Sequence, residues 1–223
     1  MTTQSLRKKF NSILGHLNSG STTNFCNKVE AAFEALTLAH IMQEYSRIHG
    51  NANKVSQPTH PHFLNQKPGR FTTERAFEVT FKDGNEFYFA TDVEVWGLNA
   101  YQANGRRGIK FEADVVVIRT EYAADIDMNF DGYPAPQHLD CLCECKFGKY
   151  NKGQLREMLG LRRHVSYLKN NGATSTQDPA ALYQMAVNNT FPVIPLFMAR
   201  PKSLAFFDND TAGLYDLKQV VIK

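Results

Sequence analysis

Hydrophobic and polar residues recur along this chain with two different periods, and the change from one to the other marks out the elements. Phe25, Val29, Ala32, Phe33, Leu36 and His40 fall on one stripe at helical spacing, so a long helix is expected from about Asn24 to His49, stopped by Gly50. A shorter helix is expected within residues 1–20, ending near Gly15 before the polar NSGSTTN break. Residues 50–70, rich in Asn, Pro, His and Gly, read as a loop. The period then becomes two. RAFEVTF and EFYFATDVEVWGL flank KDGN, a hairpin turn, and IKFEADVVVIR follows the NGRRG turn as a largely buried strand. Residues 119–138 read as an irregular insertion before the strand HLDCLCECKFG. QLREMLGLRRHVSYLK and DPAALYQMAVNN are expected helices, PVIPLFMA a strand, and the last residues an edge strand. Helix, hairpin, strand, strand, helix, strand in that order predicts an α/β sandwich around one mixed sheet. A single domain over residues 1–223 is expected, with its core at about 24–200.

Composition changes this picture little, except through charge. An apolar fraction of 43% and an aromatic fraction of 12% suffice for a real core. No stretch approaches the roughly 18–20 apolar residues that span a bilayer, and the start, MTTQSLRKKFNSIL, lacks a signal-peptide pattern, so a cytoplasmic address is expected. The formal net charge is only +3, yet Lys146 to Lys169 holds seven cations against one acid, Glu157. That segment carries +6 and the remainder about −3. A local basic zone on a near-neutral chain fits a phosphate-rich partner, or else a solvated helix face. The alternation of Cys141, Cys143 and Cys145 suits neither a disulfide along one strand nor a structural zinc site, so reduced thiols packed as small hydrophobes are expected.

The candidate chemistry sits on two strands. In Glu144-Cys145-Lys146, period two places Leu142, Glu144 and Lys146 on one face and the three cysteines on the other. A carboxylate and an ammonium among apolar neighbours are costly unless something pairs with them, as a divalent cation and a phosphate would. The pair also reads as a solvated salt bridge on an edge strand. In FEADVVVI the same counting puts Glu112 and Asp114 on the face of Val116. If the strands are neighbours, Asp114 and Glu144 converge on one hard cation such as Mg²⁺. Lys146 then stands where it steadies the attacking water or the developing charge. Glu112 is either a third acid there or a solvated residue at the strand's start.

Asp114 on one strand, then Glu144-Cys145-Lys146 on the next, then a basic helix, resembles the PD-(D/E)XK nuclease superfamily, the restriction endonuclease-like fold. Ala113 stands directly before Asp114 where many members carry Pro, and Met158 stands where the RecB-like branch has Tyr. The resemblance implies an α/β/α sandwich around a central mixed sheet and Mg²⁺-dependent hydrolysis of phosphodiester bonds, with Mn²⁺ able to substitute. It implies Asp114, Glu144 and the main-chain carbonyl of Cys145 as metal ligands, Lys146 as catalytic lysine and Gln154 as a catalytic helper on the following helix. It further implies an acid from the first long helix, Glu30 or Glu34. At about 100° per residue, Glu30 lies about 60° from Phe33 and Glu34 about 100°, which favours Glu30 as catalytic acid and metal ligand. DNA is the implied partner, with RNA open, and a homodimer if both strands of a duplex are cut.

Arg106, Arg107, Lys149, Lys152, Arg156 and Arg162 are candidate nucleic-acid contacts, since arginine matches a phosphate bidentately and lysine supplies point charge; the alternative is a charged surface. Asp127 to Gly132 reads D-x-N-x-D-G, the opening of a calcium loop, but His138 stands at the closing position, so an acidic loop is the better account. His60 and His62 read as loop residues. The competing functional class is a catalytically silent nucleic-acid-binding or assembly module on the same scaffold; a basic helix meeting an acidic protein is a third.

Overall fold

Residues 2–17, 28–60, 68–97, 109–146, 196–201 and 217–222 are described by the computed structural model. Leu6, Phe10, Ile13, Leu14 and Leu17, spaced by three or four residues, are all buried, and they build α1 (Thr3–His16). Thr2 and Ser5 cap its start reciprocally, each side-chain oxygen accepting the other's backbone N–H. α2 (Val29–His49) ends at Gly50, whose φ of 80° suits glycine. The strands are β1 (Ala52–Ser56), β2 (Phe77–Phe81), β3 (Glu86–Trp96), β4 (Lys110–Arg119), β5 (Leu139–Cys145), β6 (Leu196–Pro201) and β7 (Leu217–Ile222). α3 (Ala123–Phe130) lies between β4 and β5.

The fold is mixed α/β. The seven strands form one sheet in sequential order, antiparallel from β1 to β5 and parallel from β5 through β7. One apolar cluster joins α1 and α2 to Phe77, Phe87, Phe89, Val115, Val117, Cys141 and Cys143. A second, on the opposite face, joins Ile126 of α3 to Ala90, Val93, Val116, Ile118 and Leu142. Helices thus cover both faces, and β4 and β5 lie inside the sheet. No helix among the described residues is long and apolar enough to cross a membrane.

Two segments depart from the reading of the sequence. The 50–70 loop contains β1, an edge strand that is mostly part-exposed and so shows no alternation; its ladder to β2 is a backbone property invisible in side-chain pattern. The 119–138 insertion is regular: a 3-10 turn at Thr120–Tyr122, then α3, then a second turn at Pro136–His138. Only Ile126 of α3 is buried, too little for periodicity to reveal. Asp127 and Asn129 lie on this helix, and Asn129 donates to Asp125 at 2.6 Å, so the D-x-N-x-D run does not wrap as a calcium loop. Asp131 ends the helix with left-handed backbone. The expected helices after residue 150 and the NGRRG turn lie outside the described residues.

Candidate active site

β4 and β5 are direct neighbours whose ladder runs up to the pair Val115–Cys143, and Asp114 and Glu144 are the residues next to that pair on the two strands. An Asp114 carboxylate oxygen accepts the backbone N–H of Cys145, tying the first acid to the strand that bears the second. Lys146 Nζ lies 2.6 Å from Glu144 Oε1, and both side chains are largely buried, at 15% and 11% exposure. The edge-strand alternative therefore fails: β5 is flanked by β4 and β6, and its acid–lysine pair sits in the wall of the sheet. Cys141, Cys143 and Cys145 are free thiols on the α1/α2 face, as expected for side chains opposite Leu142.

Period-two counting fails at one place. In β3, Phe87 and Phe89 pack on the α1/α2 face, yet beyond Asp92 it is Val93 and Val95 that pack on the α3 face. In β4, Val115 and Val117 face α1/α2, whereas Ala113 and Phe111 pack on the α3 face with Val116. Both alternations slip by one at Asp92 and Asp114, each lying between the Thr91–Val115 and Val93–Ala113 pairs of the β3–β4 ladder. Asp92 has φ 54°, a left-handed conformation that aspartate tolerates better than most residues at a cost of about 1 kcal/mol or more. Asp114 consequently does not share the Val116 face with Glu112 in a simple series, because the slip turns the strand between them. Glu112 itself stays exposed, with its pKa raised by partial burial, Asp114 and Glu94.

Two further acids enter: Glu34 from α2, one of the two candidates expected on that helix, and Asp92 from β3, which the sequence did not single out. Burial foremost, then Asp92, Asp114, Glu112 and Glu144, push the Glu34 carboxyl up to about 8. Burial, then Asp114 and Glu112, push Asp92 up to about 7. Glu34 is thus the acid α2 brings to the strand carboxylates; Glu30, one turn earlier, is exposed. The structure thus brings Glu34, and not the favoured Glu30, towards the strand acids. α2 buries Ala32, Phe33, Ala35, Leu36, Thr37, Leu38 and Ala39 because α1 packs on one side and the sheet on another, so no single apolar stripe defines its inner face. Asp92 carried a usable signal: an acid in the middle of an eleven-residue strand is out of character for a β position.

These carboxylates repel one another, and burial strips them of water. A hard divalent cation is the partner that such oxygen donors fit. Among the described residues, no three His, Cys, Asp or Glu side chains already converge as a metal-binding group. The two-carboxylate set of Asp114 and Glu144 with a backbone carbonyl does not require such a triad, since Mg²⁺ keeps much of its water. An open cleft of about 460 Å³ lies elsewhere, between the Phe71–Glu74 segment and α3. It is lined by Glu74 and Asp127 without a cation, so it offers nothing to a polyanion. Gln154, Arg106, Arg107, Lys149, Lys152, Arg156 and Arg162 lie outside the described residues, as does His62. No protein-family model matches the chain, and no curated protein or solved structure is significantly similar to it.

Proposed function

We propose that the chain is a metal-dependent nuclease that hydrolyses phosphodiester bonds in DNA, on a restriction endonuclease-like sandwich. The observation that carries this reading is the pairing of two interior strands next to Asp114 and Glu144, with the Cys145 N–H donating to Asp114 and Lys146 against Glu144. The adjacency of β4 and β5 within one mixed sheet supports it, since the two acids were expected on neighbouring strands.

In this reading Asp114 and Glu144, with the carbonyl of Cys145, hold Mg²⁺ or Mn²⁺, and Glu34 and Asp92 complete the acid set. Crowding among these carboxylates fits them to a cation, which relieves their repulsion. When bound, the ion supplies Lewis-acid polarisation and neutralises phosphate charge. The chain's own part is positional. Asp114 holds the Cys145 amide, and Glu144 holds Lys146 within hydrogen-bond reach. Lys146, a compact charge with three donors, orients the attacking water and stabilises the charge gathering on phosphorus.

The test is plasmid nicking with Mg²⁺, Mn²⁺ or EDTA, comparing the natural chain with Lys146→Ala and Asp114→Ala. Each substitution is expected to lower the cleavage rate at least ~100-fold, the scale of losing one group that stabilises transition-state charge. Cleavage that persists in both variants refutes the assignment. A silent nucleic-acid-binding module on the same scaffold is the second reading. DNA binding without nicking under any metal would select it.

A further inference from the structure

Arg70 is an exposed cation mounted on an unusually well-held segment. β2 pairs with β3 only as far as Phe89, and beyond that point Gly69 takes its place, bridging Val93. The Gly69 N–H donates to Asp92 O at 3.2 Å, and the Glu94 N–H donates to Gly69 O at 2.9 Å. On the other side the Phe71 N–H donates to Gly132 O at 2.8 Å. The backbone of Arg70 is therefore clamped between the strand that bears Asp92 and the loop that follows α3.

Its side chain is supported as well. Gly132, at φ 79°, leaves room for it: a Cβ there would meet Arg70 Cβ and Cδ at 3.2 Å. The guanidinium carbon lies 5.6 Å from the Tyr133 ring centroid. Lys110 covers the same ring at 3.4 Å, but its charge is matched by Glu94 at 3.1 Å. The guanidinium also donates a hydrogen bond to the Tyr133 hydroxyl, and the ion pairs seen among the described residues do not include Arg70. Holding a long side chain in place sacrifices up to about 2 kcal/mol of rotamer freedom, and none of those ion pairs offsets it. The neighbouring Gly69 is hydrogen-bonded to Asp92 of β3, and Glu94 stands directly across from Glu112, so the backbone that carries Arg70 runs beside the acid-bearing end of β3.

We propose that Arg70 is a nucleic-acid contact that grips a backbone phosphate beside the one presented to the acids. The inference rests on the nuclease reading and deepens it by fixing where the strand lies, along the β3 side of the site. A phosphate suits the position, because the guanidinium donates two parallel hydrogen bonds to it while its face rests on an aromatic ring.

Binding of fluorescein-labelled DNA, single-stranded and duplex, in EDTA across a salt series tests it in the natural chain, Arg70→Ala and Arg70→Lys, with thermal melts to confirm folding. Arg70→Ala is expected to weaken binding about tenfold and to lower the slope of log Kd against log salt by about one contact. Arg70→Lys should keep the slope and recover part of the affinity, since the charge remains and the bidentate geometry does not. If the natural chain binds and nicks DNA while Arg70→Ala matches its affinity and slope, the inference falls and the nuclease reading survives. If the natural chain neither binds nor nicks DNA, both fall together.

Discussion

Replacing Glu34 with Gln keeps the shape of the side chain and removes its charge, which makes it a direct probe of the acid cluster. The sign follows from linkage. A carboxyl raised from 4.5 to about 8 holds a proton in the folded state that it loses when unfolded. Its contribution to stability is present below pH 4.5 and is lost as pH climbs towards 8. At about 1.4 kcal/mol per unit, that interval of about 3.5 units sets a ceiling near 5 kcal/mol. Solvent screening at a side chain still partly exposed, and the share of repulsion that Asp92 also bears, reduce the expected gain to about 2 kcal/mol. For a chain of this size that is a rise of about 4–8 °C in Tm. The assay is thermal or urea unfolding of the metal-free protein near pH 8 and again near pH 4.5. Glu34→Gln should be the more stable protein at the higher pH and indistinguishable from the natural chain at the lower. Added Mg²⁺ should stabilise the natural chain more than the variant. A Glu34→Gln protein no more stable near pH 8, or equally stabilised at both, would refute the crowding of acids on which the site is built.

Asp92→Gly removes both a like charge facing Asp114 and a left-handed strain, so it should stabilise the metal-free protein by about 1–2 kcal/mol at neutral pH, measured by urea unfolding, and weaken Mg²⁺ binding in calorimetry. His138 is buried, accepts the Ala135 N–H at Nδ1 and therefore donates from Nε2 to Asp125. Burial lowers its pKa from 6.5, so the unfolded chain takes a proton that the folded one refuses, and stability should fall as pH drops below 6.5. Asp125, held low first by Asn129, contributes only at more acid pH, below 3.8. Unfolding of His138→Gln should therefore lose the first of these two steps and keep the second. A profile unchanged between pH 6.5 and pH 4 would refute the tautomer assigned to His138.

Much of the fold was legible in the sequence because its cues are local. The short helix before Gly15, the two-residue period of β2 and β5, that of β3 and β4 on either side of their slip, and the KDGN turn are written in side chains that meet their neighbours within one element. The cysteine face of β5 and the shared face of Glu144 and Lys146 follow from the same short-range geometry. What depends on contacts between elements was not legible. β1 is held by a backbone ladder, and α3 by one buried isoleucine.

The site divides along the same line. Asp114, Glu144 and Lys146 announced themselves as polar groups interrupting apolar strands, an anomaly that any single strand displays. Only the tertiary structure chose Glu34 over Glu30, because α2 is covered from two sides and burial there is decided by what packs on it. Only the tertiary structure set Asp92 against Asp114 and turned both strands by one residue, because that slip belongs to the pair of strands and to neither alone. Periodicity reports how one element meets solvent. The meeting of charges from α2, β3, β4 and β5 is a long-range event, and its energy exists only once those elements are packed together.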